Sequence, residues 1–292
     1  MNWNSHKLTL LLENALAEDR ATRDATSYAC IDPAQRAVAT ILAKQDCVLA
    51  GLGCVQRILE VFAVMDGAVV SHPDVTSHGE VFDGVRLHRG QAIAVVRHNA
   101  RVLLSCERVT LNMLQRMSGV ATLTRQFVDA VAGTKVHILD TRKTIPGLRA
   151  LDKYAVRCGG GQNHRLDLSD GVLIKNNHIA LAGSLEEALA RALRNRRGEQ
   201  PIQCEVRSLE ELELALANGA EAILLDNMNS DDVRRAVERV GRHTRRVPLE
   251  SSGGINLQNV RAYAETGVDY ISVGALTHSS AAVDMSMRIV PA

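Results

Sequence analysis

The sequence predicts an α/β protein in which a smaller α+β domain precedes a parallel α/β barrel. Three observations carry that prediction. From about residue 134, short apolar runs alternate with amphipathic segments. The runs are continuously apolar rather than alternating, as in parallel strands covered on both faces. Polar residues gather at the carboxyl end of each run, where parallel α/β folds place their ligands. An open doubly wound sheet is the competing architecture.

In chain order, "MNWNSHKLTLLLENALAEDR" reads as an amphipathic surface helix; its apolar run is broken by Glu13, too short for a membrane span and too acidic downstream for a signal peptide. Strands are expected in "AVATILAKQDCVLAG", "AVVSHPDVTSHGEVFDG" and "GQAIAVVRHNA", with a helix at "LGCVQRILEVFAVM". A long helical stretch, "RVLLSCERVTLNMLQRMSGVATLTRQFVDAVAG", follows, with an interruption expected near Ser118 and Gly119. The barrel strands are "KVHILD", "GVLIK", "PIQCEV", "EAILLD", "RVPLE" and "DYISVG". Between them, helical patterns open at Ser or Asn, and Ser184 with Glu187 and Ser208 with Glu211 have capping-box spacing. The expected domains are 1–113, the barrel 114–278, and a tail 279–292 that packs back on the first domain.

Composition narrows the function classes. Lys plus Arg is 34 against Asp plus Glu at 33, so no global field recruits nucleic acid or an anionic membrane. Aromatic residues make up 3%, too few for base-stacking platforms. The six cysteines include no C-x-x-C pair and suit reduced thiols in a cytoplasm. No P-loop, G-x-G-x-x-G or zinc spacing occurs.

The chemistry therefore rests on the strand ends. "ILDTRKTIPG" ends a buried run in Thr141, Arg142, Lys143 and Thr144; Arg108, His164, Arg165 and Lys175 come from other segments. If the strand ends share one mouth, these cations repel one another unless an anion occupies it, and guanidinium groups suit carboxylate or phosphate. Glu205 and Asp226 each end a strand, with Glu250 on the next. Carboxylates facing a phosphate ligand need a divalent cation between, which suggests Mg²⁺. "ESSGGIN" followed by "SVGAL" places glycines after the last two strands, where barrels grip phosphate by backbone N–H groups. Surface ion pairs are the plainer reading of each charge alone, and His164 and His178 read first as positioning residues. Cys158 lacks a visible partner base.

The stretches "ERVTLNMLQRMSGVAT", "LDTRKTIPGLRALDKYAVRCGGGQNHRLDLSDGVLIKNNHI", "LLDNM", "ESSGGI" and "YISVGAL" closely resemble the quinolinate phosphoribosyltransferase family, the carboxylating nicotinate-nucleotide pyrophosphorylases of de novo NAD synthesis. The resemblance implies a type II phosphoribosyltransferase: an N-terminal α/β sandwich and a TIM-like α/β barrel. It implies quinolinate and phosphoribosyl pyrophosphate as substrates, with Mg²⁺, and nicotinate mononucleotide, pyrophosphate and CO2 as products. By matching position, Arg142, His164, Arg165 and Lys175 would hold the quinolinate carboxylates. Arg108 would reach the neighbouring active site of a homodimer, which a hexamer could contain. Lys143 would lie near pyrophosphate, Glu205 and Asp226 near the ribose and Mg²⁺, and Ser252, Gly253, Gly254, Val273, Gly274 and Ala275 at the 5′-phosphate.

Two positions depart from the family's usual pattern: Arg23 stands where a glycine precedes the aspartate, and Asn176 where an acid often follows Lys175. The rival readings are a paralogue of molybdenum-transport operons or a nicotinate-specific enzyme with the same fold, a Schiff-base aldolase using Lys175, and a non-catalytic anion-sensing scaffold.

Overall fold

A computed structural model describes residues 1–67 and 73–292. By contact the chain forms two compact units: Met1–Leu123 with Ile145–Gly160 and Ser280–Ala292, and Thr124–Thr144 with Gly161–Ser279. The cut expected from sequence lies between residues 113 and 114. That cut would fall within one unbroken helix, and 145–160 group with the N-terminal residues.

The first unit holds helices α1 (His6–Glu18), α2 (Ala25–Cys30), α3 (Leu52–Met65), α4 (Ala100–Ala130, through residue 123) and α5 (Arg149–Cys158). Its strands are β1 (Arg36–Ala43), β2 (Cys47–Val48), β3 (Asp74–Thr76), β4 (Arg86–Leu87) and β5 (Ala92–Asn99). The strand expected from residue 68 lies partly outside the described residues. In β1 the two-residue period buries Ala37, Ala39, Ile41 and Ala43 on one face. In α3, Val55, Ile58, Leu59 and Phe62 recur at helical spacing and are buried. Full burial of one such side chain contributes about 2 kcal/mol.

The expected break near Ser118 does not occur, because α4 is continuous. Gly119 answers to packing instead: an added Cβ would collide with the backbone carbonyl oxygen of Ala281. Arg23 ends a short 3-10 turn and is not among the positive-φ residues, so no glycine is required there. Asp24 caps α2 by accepting from the Ser27 N–H at 3.1 Å.

The second unit carries six parallel strands, β6 (His137–Leu139), β7 (Val172–Ile174), β8 (Ile202–Val206), β9 (Ala222–Asp226), β10 (Leu249–Ser252) and β11 (Tyr270–Ser272). Around them lie α6 (Asn176–Ala182), α7 (Leu185–Asn195), α8 (Leu209–Ala217), α9 (Ser230–Gly241), α10 (Val260–Ala264) and α11 (Ala275–His278). Ser184 and Ser208 accept from Glu187 and Glu211 N–H as the caps of α7 and α8. In α9, Val233, Ala236 and Val240 form the buried stripe.

The hydrogen-bonded order is β6-β11-β10-β9-β8-β7. Chain order is kept from β7 to β11, and β6, the first strand, lies beside the last. A doubly wound sheet reverses direction at a switch point; this cyclic order does not, and it is that of a barrel. Gln162 bridges Leu139 in parallel on the free side of β6. The unit is thus TIM-like with six strands rather than eight.

The last strand, β12 (Met285–Pro291), belongs to the first unit and pairs antiparallel with β1 from Ala37↔Pro291 to Ala43↔Met285. The first unit's main sheet runs β12-β1-β5-β3. Among the described residues no helix is long and apolar enough to cross a membrane.

Candidate active site

Each barrel strand is a short apolar segment whose last residue, or the loop after it, turns polar. Because the strands are parallel, those polar residues arrive at one rim. They line a cavity of about 640 Å³ formed by Thr141, Arg142, Lys143, His164, Arg165, Lys175, Glu205, Asp226, Ser252, Gly253, Gly254, Val273, Gly274 and Ala275, among others. Every site residue expected from sequence except Arg108 is in that lining. Arg108, largely exposed, lines a different cavity of about 650 Å³ made by the first unit, with Lys7, Asn112, Gly147 and Leu148 nearby.

The cations are held by structure around them rather than by counter-ions. Among the described residues, Arg142, Lys143 and Arg165 have no carboxylate partner, and the Nε of Arg142 is buried without a hydrogen bond. Burial and the charge of Arg142 lower the pKa of the Arg165 guanidinium from its ordinary value. Like charges so placed suit an anionic ligand. Arg165 Nη1 donates to the Gly171 carbonyl at 3.2 Å. The Lys143 N–H donates to Thr141 Oγ1 at 3.0 Å, and its carbonyl accepts from Thr277 Oγ1 at 2.8 Å. A Cβ at Gly274 would lie 3.1 Å from Lys143 Cδ, so the glycine leaves room for that side chain to cross.

The acids are arranged oppositely, each with partners. Glu205 Oε2 lies 3.6 Å from Lys175 Nζ, and Glu205 Oε1 accepts from Asn176 Nδ2 at 2.9 Å. Asp226 Oδ2 lies 3.5 Å from Arg207 Nε. Glu250 is buried; burial alone would raise its pKa, but hydrogen bonds from His164, Ser272 and Gln203 hold it below the usual carboxylate range. Among the described residues no group of three or more His, Cys, Asp or Glu could hold a metal. Glu205 and Asp226 on adjacent strands nevertheless face one cavity. Such a pair suits a hard divalent ion that takes its other ligands from phosphate oxygens and water.

The glycine-rich loops complete the rim. Gly253 and Gly254 have φ of 94° and 65°, and a Cβ on Gly253 would strike the side chain of Asn227. Asn227 itself sits at φ 56° and donates its N–H to the Ser252 carbonyl at 2.8 Å. Cys158 belongs to the first unit; burial, followed by the charge of Asp83, pushes its thiol up to about 11, which argues against a nucleophile.

Sequence reading passed over Gln203, Asn227 and the link through Asp140. Asp140, 0% exposed, accepts from the His164 N–H at 2.9 Å and from Asn163 Nδ2 at 2.6 Å, fixing the loop that carries His164 and Arg165. A charged residue closing an apolar run was the available signal for Asp140; an uncharged Gln or Asn carries none. His178 accepts the Lys175 N–H at Nδ1, 2.9 Å, and so positions that residue's backbone.

Comparison with known proteins divides the chain near residue 119. Residues 24–118 match the quinolinate phosphoribosyl transferase N-terminal domain, and residues 120–288 its C-terminal domain. The chain is 47% identical over 280 residues to the nicotinate-nucleotide pyrophosphorylase [carboxylating] of Mycobacterium leprae, covering 95% of each chain. It is 42% identical over 286 residues to the probable enzyme of that name from Bacillus subtilis, covering 98% of this chain and 94% of that one. The crystal structure of nicotinate-nucleotide pyrophosphorylase from Ehrlichia chaffeensis is similar at a TM-score of 0.85 and 39% identity, over 96% of this chain and 97% of that one.

Proposed function

The chain belongs to the quinolinate phosphoribosyl transferase family across both domains, and from that premise we propose that it transfers phosphoribosyl from phosphoribosyl pyrophosphate to quinolinate with loss of CO2. Nicotinate mononucleotide and pyrophosphate are the other products, as required for de novo NAD synthesis. One observation carries the reading: three cations without carboxylate partners share a rim with paired acids and glycine-lined loops. A dicarboxylate and a polyphosphate ester are the two anions such a rim would take together.

In this reading Arg142, Arg165 and Lys175 receive the quinolinate carboxylates, with His164 in the same wall. Lys143, the neighbour of Arg142, faces the leaving pyrophosphate. Ser252, Gly253, Gly254, Val273, Gly274 and Ala275 seat the 5′-phosphate, where backbone N–H groups can approach because side chains are small or absent. Glu205 and Asp226 face the ribose and would hold Mg²⁺, whose charge, when bound, would offset that on the pyrophosphate.

The pyridine nitrogen then bonds to the anomeric carbon as the bond to pyrophosphate breaks. Lys143 stabilises charge on the leaving oxygen, and the two acids favour a ribosyl centre of cationic character. With the ring nitrogen positive, the C2–carboxylate bond can break and leave its electron pair on the ring, releasing CO2. The C2 carbanion is protonated to give the product. We place the enzyme in the cytoplasm, where the free thiols, buried at Cys47, Cys54, Cys106 and Cys204, would stay reduced.

Arg108 does not line this rim within one chain, and we assign it to the neighbouring site of a homodimer. The overall test is release of pyrophosphate and CO2 by the purified protein with each substrate and Mg²⁺ present or withheld. Turnover of nicotinate at a comparable rate would instead favour a different acceptor.

A further inference from the structure

Beneath the cations lies a side-chain relay that the assignment above does not use. Glu250, on β10, is 3% exposed, and its Oε2 lies 3.2 Å from Nε2 of His164 and accepts from Gln203 Nε2 at 2.7 Å. The other ring nitrogen of His164, Nδ1, accepts the backbone N–H of Arg165 at 2.7 Å. An accepting Nδ1 carries no proton, so the proton is on Nε2 and points at the carboxylate. Both ring nitrogens are therefore engaged within the protein, and the His164 side chain is only 15% exposed.

We propose that Glu250 is a positioning residue for the carboxylate-binding half of the rim, acting through a neutral His164 on Arg165. His164 then serves as the link between Glu250 and the Arg165 backbone, rather than as a ligand of the acceptor. Such a link has a physical task, since Arg165 stands beside Arg142 and like charges push apart unless the chain is held. Two buried carboxylates do the holding from different strands. Asp140, at the end of β6, takes the His164 N–H, and Glu250 takes its ring. The loop 163–165 is clamped by backbone and by side chain, and the guanidinium emerges from it into the cavity.

This inference rests on the acceptor assignment, and two measurements separate its failure from that of the assignment. The first is calorimetric. Glu250→Ala is expected to weaken quinolinate binding about tenfold or more while phosphoribosyl pyrophosphate binding stays within about threefold, the loss of a charge-assisted hydrogen bond acting on one half-site. In an Arg165→Ala background the same substitution should change nothing further, whereas additive losses would overturn the relay. Glu250→Gln, whose amide oxygen can still accept from Nε2, should recover most of the affinity.

The second measurement needs no variant of Glu250, and its reading of the tautomer needs no substrate. Ring nitrogen-15 NMR of histidine-labelled protein, with His164→Gln identifying the signal, is expected to show a neutral Nε2–H ring at neutral pH that quinolinate does not alter. A doubly protonated ring, or an Nδ1–H tautomer, would overturn the proposal even if the binding results agreed. If the wild-type protein bound no quinolinate, the acceptor assignment would fall and the NMR result would still decide the relay.

Discussion

The two halves of the rim treat charge in opposite ways. Arg142, Lys143 and Arg165 stand together without carboxylate partners among the described residues, whereas Glu205, Asp226 and Glu250 each have a cation or amide at hand. Surface charge left to itself would pair across the rim, at little gain per pair. The asymmetry says that positive charge is reserved for ligands, while negative charge is either tied down for positioning or set where a divalent ion could share it.

That contrast can be broken from the cation side first. Lys143→Ala should give the largest effect, a fall in kcat of about a hundredfold, the size seen when one donor to a developing anion is removed. Its mark is a defect in phosphoribosyl pyrophosphate use with quinolinate affinity retained, read by steady-state kinetics with each substrate varied. Arg142→Ala and Lys175→Ala should each weaken quinolinate binding by about 2 kcal/mol, or about thirtyfold, as expected for a lost charged hydrogen bond. Unchanged affinity in a folded variant would remove either residue from the site. For Arg142 the same defect with both substrates would count against its division of labour with Lys143.

Arg108 sharpens the comparison, because it is the one assigned cation absent from the rim cavity. At a quinolinate concentration too low for either variant alone to turn over appreciably, mixing Arg108→Ala with Lys175→Ala protein should restore about a quarter of wild-type activity, since half the dimers would be mixed and each would hold one intact site. Continued inactivity after demonstrated subunit exchange would place Arg108 elsewhere.

The smallest effect concerns the tied-down acids. The pKa of Glu250 is lowered in the folded protein, so the unfolded state binds the proton more readily. Its contribution to stability is present at neutral pH and is lost as pH falls through and below the ordinary carboxylate range. Thermal melting across that range should show the wild-type protein losing more stability than Glu250→Gln; parallel losses would mean that this carboxylate gains nothing on folding.

Much of this was legible in the sequence because a parallel barrel strand writes its function linearly. An apolar run followed by Asp-Thr-Arg-Lys, or by Lys-Asn-Asn-His, states both the strand and what it delivers. The βα register, the caps at Ser184 and Ser208, and the rim residues from Thr141 to Ala275 followed from such local signals. Gly119 misled, because a glycine that lets a distant carbonyl approach looks in sequence like one that ends a helix. The grouping of 145–160 with the N-terminal residues and the pairing of β12 with β1 are long-range contacts that no local pattern encodes. The relay from Glu250 to Arg165 was hidden for a further reason: which proton a histidine carries depends on partners 86 and 1 residues away in the chain, and only their geometry reveals it.

The central claim is that one rim reserves its positive charge for two different anions. It is tested most directly by the three-component assay, following pyrophosphate and CO2 from the purified, folded protein. The account predicts that both are released only when quinolinate, phosphoribosyl pyrophosphate and Mg²⁺ are all present, in equal amounts with nicotinate mononucleotide. No release under saturating substrates, or release that does not depend on quinolinate, would contradict it.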